Sequence, residues 1–241
     1  MSAPRRVQLT PAWLLHHRPW SDTSRILDLV TRDFGRVTLF AHGARRPKSP
    51  WRGLLRPFQP LSVSWSGRAD GGTLTAAEAA GPAPALPPDR LLSGFYLNEL
   101  LLKLLPREDR HERLFDAYGL ALAGLAASAG HQPLRAFERV LLEELGYGLE
   151  LGAVAAGGET LDPERYYHFE PGRGLLAVRD AGAGAYRGRE LLAVARGDLG
   201  EPQALAAARR IYGAAIAHCL EGRGLASREV MLALRRREHG E

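Results

Sequence analysis

The side chains able to do covalent or metal chemistry are few, and their spacing does not suit it. Cys219 is the single cysteine, so neither a disulfide framework nor a thiolate zinc site can be built. Nothing near it in sequence would lower its thiol pKa, and a small, buried, inert side chain is expected. His16 and His17 are adjacent; on a strand they point to opposite faces and could not share a metal. His168 and His218 have no second ligand at helical spacing. There is no G-x-x-x-x-G-K-S/T phosphate loop, no G-x-S-x-G elbow and no H-E-x-x-H pair. No catalytic residue, no metal and no cofactor is expected.

Cations and aromatics are the residue types that do cluster. Between Asp33 and Asp70 there is no acid, while Arg36, Arg45, Arg46, Lys48, Arg52, Arg56 and Arg68 fall there. Residues 1–80 hold twelve Lys/Arg against five Asp/Glu, and residues 81–241 hold twenty against twenty-two. The positive surplus therefore belongs to the front third, the asymmetry expected of a nucleic-acid-binding module joined to a neutral domain. The chemistry would be phosphate contact by Arg36, Arg45, Arg46, Lys48, Arg52 and Arg56, with bases stacked on aromatic rings. Trp20, Phe40, Trp51 and Trp65 are the ring candidates. Phe40 and Trp65 sit in apolar alternation, where such residues are more often core, so Trp51, inside the basic loop, is the better stacking residue. With only two lysines in the chain, an arginine-rich solvated face set by genome composition gives the same count.

Several elements must hold these residues. Arg25 to Thr31 and Arg36 to His42 alternate apolar and polar around the turn Asp33-Phe34-Gly35, the signature of a β-hairpin. Strands are also expected over Val7–Leu15, with Pro11 a break or bulge, over Gln59–Trp65, and over Thr73–Ala80. Five short strands with no helix among them fit a small closed barrel of the OB type; a small β-sandwich has the same signature. Gly81–Pro88, with four prolines in eight residues, is a linker. The fold class is α+β: an N-terminal five-stranded OB-fold barrel over residues 1–80, the linker over 81–88, and a mostly helical domain over 89–241. Helices are expected over about 90–105, capped by Asp89 and apolar nearly all round, then over 110–127, and from Pro133 to a stop at Gly146. Short loops predict that these three pack as an antiparallel bundle. A small hairpin over 165–179 lies in a loop-rich insertion near 149–187. Helices then follow over 188–196, over 203–220, and from an N-cap at Ser227. No apolar run is long enough to span a bilayer and no signal peptide is evident, so a soluble cytoplasmic protein is expected.

The pattern S-x-T-S-x-I-L-x-L-x-T-x-x-x-G-R-V-x-L-x-A-x-G-A-R over Ser21–Arg45, followed by Leu55-Arg56-Pro57-Phe58, resembles the bacterial recombination mediator RecO. Gly94–Leu101, Leu114–Tyr118, Leu134–Glu138, Leu145–Gly148 and Ser227–Glu229 extend the resemblance, in order, over nearly the whole chain. It implies a non-catalytic DNA repair mediator, associated with the nucleoid, that binds single- and double-stranded DNA and anneals complementary strands. It also implies help in loading recombinase onto single strands coated by single-stranded-DNA-binding protein, with RecR as a partner. The DNA contacts would be Arg36, Arg45, Arg46, Lys48, Trp51, Arg52 and Arg56. The acidic C-terminal tail of single-stranded-DNA-binding protein would dock on the third helix through Arg135, Phe137, Arg139 and Leu142. RecO sequences often carry a cation where this chain has Thr38 and His42. Many carry a four-cysteine zinc module where it has the cysteine-free run Ala153–Gly158, so that module is absent or replaced by a metal-free loop. The alternative is a protein–protein adaptor whose helical domain does the work beside an incidental basic barrel.

Overall fold

The computed structural model describes residues 5–67, 71–127, 130–153 and 158–238, which form two compact units. The first, Met1–Ser128 with Leu225–Glu241, contains a closed five-stranded barrel. Its strands are β1 (Arg5–Pro19), β2 (Arg25–Thr31), β3 (Gly35–Ala41), β4 (Pro60–Gly67) and β5 (Gly72–Ala79). They pair in the order β1-β2-β3-β5-β4, and β4 pairs back onto β1. Every ladder is antiparallel except β3–β5, where Leu39 and Phe40 lie parallel to Gly72 and Thr73. This is an OB-fold barrel. Period-two alternation fills it: Leu27 and Leu29, Val37 and Leu39, and Leu61, Val63 and Trp65 all point inward.

β1 is longer than the Val7–Leu15 run expected, because one strand serves two ladders. Its first part pairs with β4 and its last part with β2, and Ala12 stands opposite both Leu61 and Thr31. Such a strand must bend, and it bends at two irregularities, between Val7 and Thr10 and between Leu14 and His16. Pro11 is not the break; it sits in the ladder opposite Ser62. At the second irregularity Leu15 is the extra residue. Its carbonyl accepts a hydrogen bond from Asn98 Nδ2 at 2.8 Å, and Asn98 Oδ1 accepts from the buried Tyr118 hydroxyl at 2.6 Å.

Asn98 belongs to α1 (Pro88–Leu104) and Tyr118 to α2 (Glu112–Ala127), so this relay pins both helices to the barrel. Trp13 of β1 adds apolar contact, its ring 5.5 Å from Tyr118 and 6.4 Å from Phe115. The hairpin turn is seated as tightly: Gly35 adopts φ +63°, and a Cβ there would meet the Asp109 carbonyl oxygen at 1.9 Å. The first helix departs from expectation in two ways. Its N-cap is Pro87 rather than Asp89, which lies in the first turn. Nor is it buried all round: Leu91 and Phe95 face outward while polar Ser93 and Asn98 face in.

The expected bundle of three consecutive helices does not form within one unit. α1 packs against α2 and against α6 (Ala226–Glu238), whereas α3 (Gln132–Glu144) packs against α5 (Pro202–Cys219) in the second unit, Ala129–Gly224. Residues 80–87 are neither helix nor strand, yet the division into compact units falls not there but after α2, since α1 and α2 are fastened to β1. The second unit also holds α4 (Gly188–Arg196), packed on α5, and a sheet of order β7-β6-β8. Its strands are β6 (Tyr166–Glu170), β7 (Gly174–Val178) and β8 (Tyr186–Arg187), the last too short to read from sequence. Gly146, at φ +80°, follows the end of α3. Of the run Ala153–Gly158, residues 154–157 lie outside the described residues.

α6 starts at Ala226 and is not capped by the Ser227 hydroxyl, which instead donates to Glu99 at 2.6 Å. The Glu99 carboxylate, from α1, also accepts the backbone N–H groups of Ala226 and Ser227, at 2.8 and 2.9 Å, and pairs with Lys103 at 2.9 Å. Burial alone would raise its pKa, but the hydrogen bonds from Ser227 and Lys103 outweigh it and hold the pKa at about 2, below the usual 4.5. A depressed carboxylate pKa stabilises the fold above the unfolded value and loses that contribution as pH falls through the folded one. Glu99→Gln should therefore destabilise the protein by about 2 kcal/mol at pH 7. In urea titrations the gap between wild type and variant should persist above pH 4.5 and shrink as pH falls toward 2.

Candidate nucleic-acid interface

The hairpin places two loops at the same end of the barrel: residues 20–24, which enter β2, and residues 42–59, which leave β3. The longer loop is a succession of turns. Ala44 N–H donates to Ala41 O, Arg46 to Gly43, Ser49 to Arg46, Arg52 to Ser49, and Leu55 to Trp51. Ala44, Leu55 and Phe58 are buried anchors, with Trp51 and Leu54 half-buried against the barrel core. Between the anchors the cations point out: Arg45, Arg46, Lys48, Arg52 and Arg56 are all exposed. Among the described residues none of the five pairs with a carboxylate; Arg56 reaches only Gln59 Oε1, at 3.4 Å. Arg45 joins the two loops, donating from its backbone to Thr23 O and from its guanidinium to Ser21 O, each at 2.8 Å. Arg68 lies outside the described residues.

Of the other two expected contacts, Arg36 stands apart from this group and Trp51 is half-buried within it. Arg36 is half-buried at the opposite end of the barrel, where its Nε donates to Leu105 O at 3.0 Å and its carbonyl accepts from Glu108 N–H at 3.1 Å. Burial, and next the neighbouring Arg107, lower its pKa. Alternation correctly turned Arg36 out of the barrel, but the C-terminal end of α1 covers it. Trp51 packs on the barrel core instead of standing free in the loop. Trp65 is wholly inside, edge-on to Phe34.

The ring left in solvent is Trp20, at 59% exposure. It meets Phe40 edge-on, with centroids 5.3 Å apart, and Phe40 lies nearly parallel to exposed His42. The outer face of β2–β3 also carries an acid. Asp28 accepts from the Thr38 hydroxyl at 2.8 Å and lies 3.8 Å from His16 Nδ1. Thr38 is thus committed to Asp28, and the cations of this surface come from the loop.

In the second unit, the four residues expected to grip a peptide tail divide into two pairs. Arg135 is 8% exposed and closes on Glu138 at 2.8 Å, and Phe137 is fully inside. Arg139 is exposed, bonded through Nε to Glu143 at 2.8 Å, and that bond raises its pKa. Arg139 and buried Leu142 line a cavity of 360 Å³ with Leu149, Leu151, Val194 and Tyr212. Burial pushes the Tyr212 hydroxyl up to about 12. Among the described residues no three His, Cys, Asp or Glu side chains converge on a point that could hold a metal, and no helix is long and apolar enough to cross a membrane. The Cys219 thiol is half-buried, and that burial raises its pKa.

Two family models match the chain: Recombination protein O N terminal over residues 6–83 and Recombination protein O C terminal over residues 87–229. The chain is 46% identical over 235 residues to the DNA repair protein RecO of Alkalilimnicola ehrlichii, an alignment covering 96% of this chain and 93% of that protein. It is 43% identical to the DNA repair protein RecO of Nitrosococcus oceani, with 96% and 95% covered. Identity to the protein of the same name from Dechloromonas aromatica is 40%, with 97% and 99% covered.

The two ends of the barrel should respond differently to loss of an arginine. Arg36→Ala removes a partly buried charged hydrogen bond and should cost about 2 kcal/mol in denaturant unfolding. Arg46→Ala, on the open surface, should stay within about 0.5 kcal/mol of wild type.

Proposed function

Because this chain belongs to the RecO family of DNA repair proteins, we propose that it binds single- and double-stranded DNA at the open end of its barrel and anneals complementary strands. The observation that carries this reading is the group of five exposed cations, unopposed by described carboxylates, on a loop anchored to an OB barrel. Annealing by such a surface needs no covalent step. Two strands repel through their phosphates; bound cations screen that repulsion and release condensed counterions. Bases brought together in this way pair by themselves. In the cell the protein would act as a mediator with RecR, helping recombinase onto single strands coated by single-stranded-DNA-binding protein.

A second contact completes this role. The acidic tail of single-stranded-DNA-binding protein, which ends in a phenylalanine carboxylate, would dock in the cavity lined by Leu142 and Val194, with Arg139, also in its lining, for the carboxylate. Arg135 would then act from below, holding α3 through Glu138 rather than touching the tail. Phe137 likewise supports the site from the core.

The DNA reading is tested by salt. Single-strand affinity should fall on a log–log plot with a slope of about −0.7 per phosphate neutralised. Replacing Arg45, Arg46 and Lys48 together by Ala should flatten that slope by about 2; an unchanged slope would move the activity to the helical elements and favour the adaptor reading. For the tail, Arg139→Glu should weaken a fluorescent acidic tail peptide by tenfold or more, about the 1.4 kcal/mol lost with one charge-assisted pair, and leave oligonucleotide binding unchanged.

A further inference from the structure

We propose that Trp20, Phe40 and His42 form a stacking platform for unpaired bases, and that this platform makes the open end of the barrel prefer single strands to duplex. The inference rests on the DNA-binding reading above and deepens it by naming the form of DNA this surface selects. An indole that packs well adds to stability through burial, yet Trp20 is 59% exposed at the start of the loop entering β2. Its position is nonetheless defined. Its backbone N–H donates to Ser24 O at 3.1 Å, and its ring stands at 68° to Phe40. Phe40 is held in the ladder between Ile26 of β2 and Thr73 of β5. His42 continues the surface, its ring 13° from parallel with Phe40. The result is a cluster of three rings at the end of β3, with Trp20 set edge-on to Phe40 and its indole the most exposed.

The surroundings identify the occupant. Arg45 bonds to Ser21 and Thr23 of the Trp20 loop, so the rings and the basic loop form one continuous surface. Asp22 is the acid in that loop, against five exposed cations. Rings beside cations that pair with no described carboxylate match a polymer with alternating bases and phosphates. In a duplex the base faces are already stacked on one another, so it offers this surface phosphates alone. A single strand offers both, and the gain from the rings is specific to it. Stacking also occupies only the face of a base and leaves its pairing edge open to an incoming strand, which suits a protein that anneals.

The test compares the full chain with Trp20→Ala and Trp20→Phe. The probes are a labelled oligothymidylate of about 20 nucleotides, longer than the ~4–16 one OB fold covers, and a blunt duplex of equal length at the same salt. Trp20→Ala should weaken single-strand binding about tenfold and duplex binding by less than about twofold, with Trp20→Phe close to wild type. Trp20 is the exposed indole, so single-strand binding should also quench tryptophan emission in wild type and not in Trp20→Ala. Equal losses on both probes, or no loss on the single strand, would overturn the platform while leaving the DNA reading standing. A wild type that binds neither probe would overturn both.

Discussion

One backbone carbonyl left over by a bulge determines where the helices of the first unit can lie. Leu15 is the extra residue of β1, with no register partner on β2. A buried carbonyl without a partner is costly, and Asn98 supplies the donor from inside α1. Asn98 then needs a donor for its own oxygen, and Tyr118 provides it from α2. Three elements are fixed by two short hydrogen bonds in a dry setting, where a misplaced helix would strand polar groups on both sides. The bulge also bends β1 so that it can close the barrel. Barrel closure and helix placement are therefore one constraint.

That arrangement explains which parts were legible in the sequence. The hairpin, its Gly35 turn and the inward residues of β2, β3 and β4 follow from local alternation, and they lie where it puts them. The helix segments were legible for the same reason. What sequence could not supply were contacts across long separations. Nothing local marks Glu99 as the cap of a helix that begins 127 residues later, or Asn98 as the partner of Leu15 across 83 residues. On sequence Trp51, inside the basic loop, outranks Trp20 as a stacking residue, and the exposures are the reverse. They differ because the turns after His42 fold the Trp51 loop back onto the core, while the short Trp20 loop stays at the surface.

Helix α3 shows the same limit at closer range. Arg135 and Arg139 are one turn apart, each with an acid three or four residues ahead, and on sequence they are equivalent. Arg135 and Glu138 turn into the second unit's core, where each charge is tolerable only because the other is 2.8 Å away. Arg139 stays at the surface beside Glu143, free to exchange that partner for another carboxylate. A buried pair of this kind is poorly suited to grip a ligand, because drawing out one charge abandons the other. Of the two, Arg139, whose partner Glu143 is only half-buried, is the arginine that the proposed tail contact would use.

The charge of the first unit follows the same division. The front third carries a surplus of seven cations by sequence, twelve against five, yet they are not equally available. At the turn end of the barrel, Arg32 is paired with Asp116 at 3.0 Å, Arg110 with Glu112 and more loosely with Asp33, and Arg36 is spent on the carbonyl of Leu105. The helices that the Leu15 bulge positions bring acids and carbonyls to that end and neutralise it. Among the described residues the five cations of the 42–59 loop pair with no carboxylate. A barrel with its cations spread evenly would attract a polyanion from any side and hold it in no register. With one end paired off, the cations left without a described carboxylate include those of the 42–59 loop, beside Trp20. The helices thus shape the proposed DNA-binding surface from the opposite end of the barrel, because the arginines they occupy are withdrawn from competition with the arginines they leave exposed.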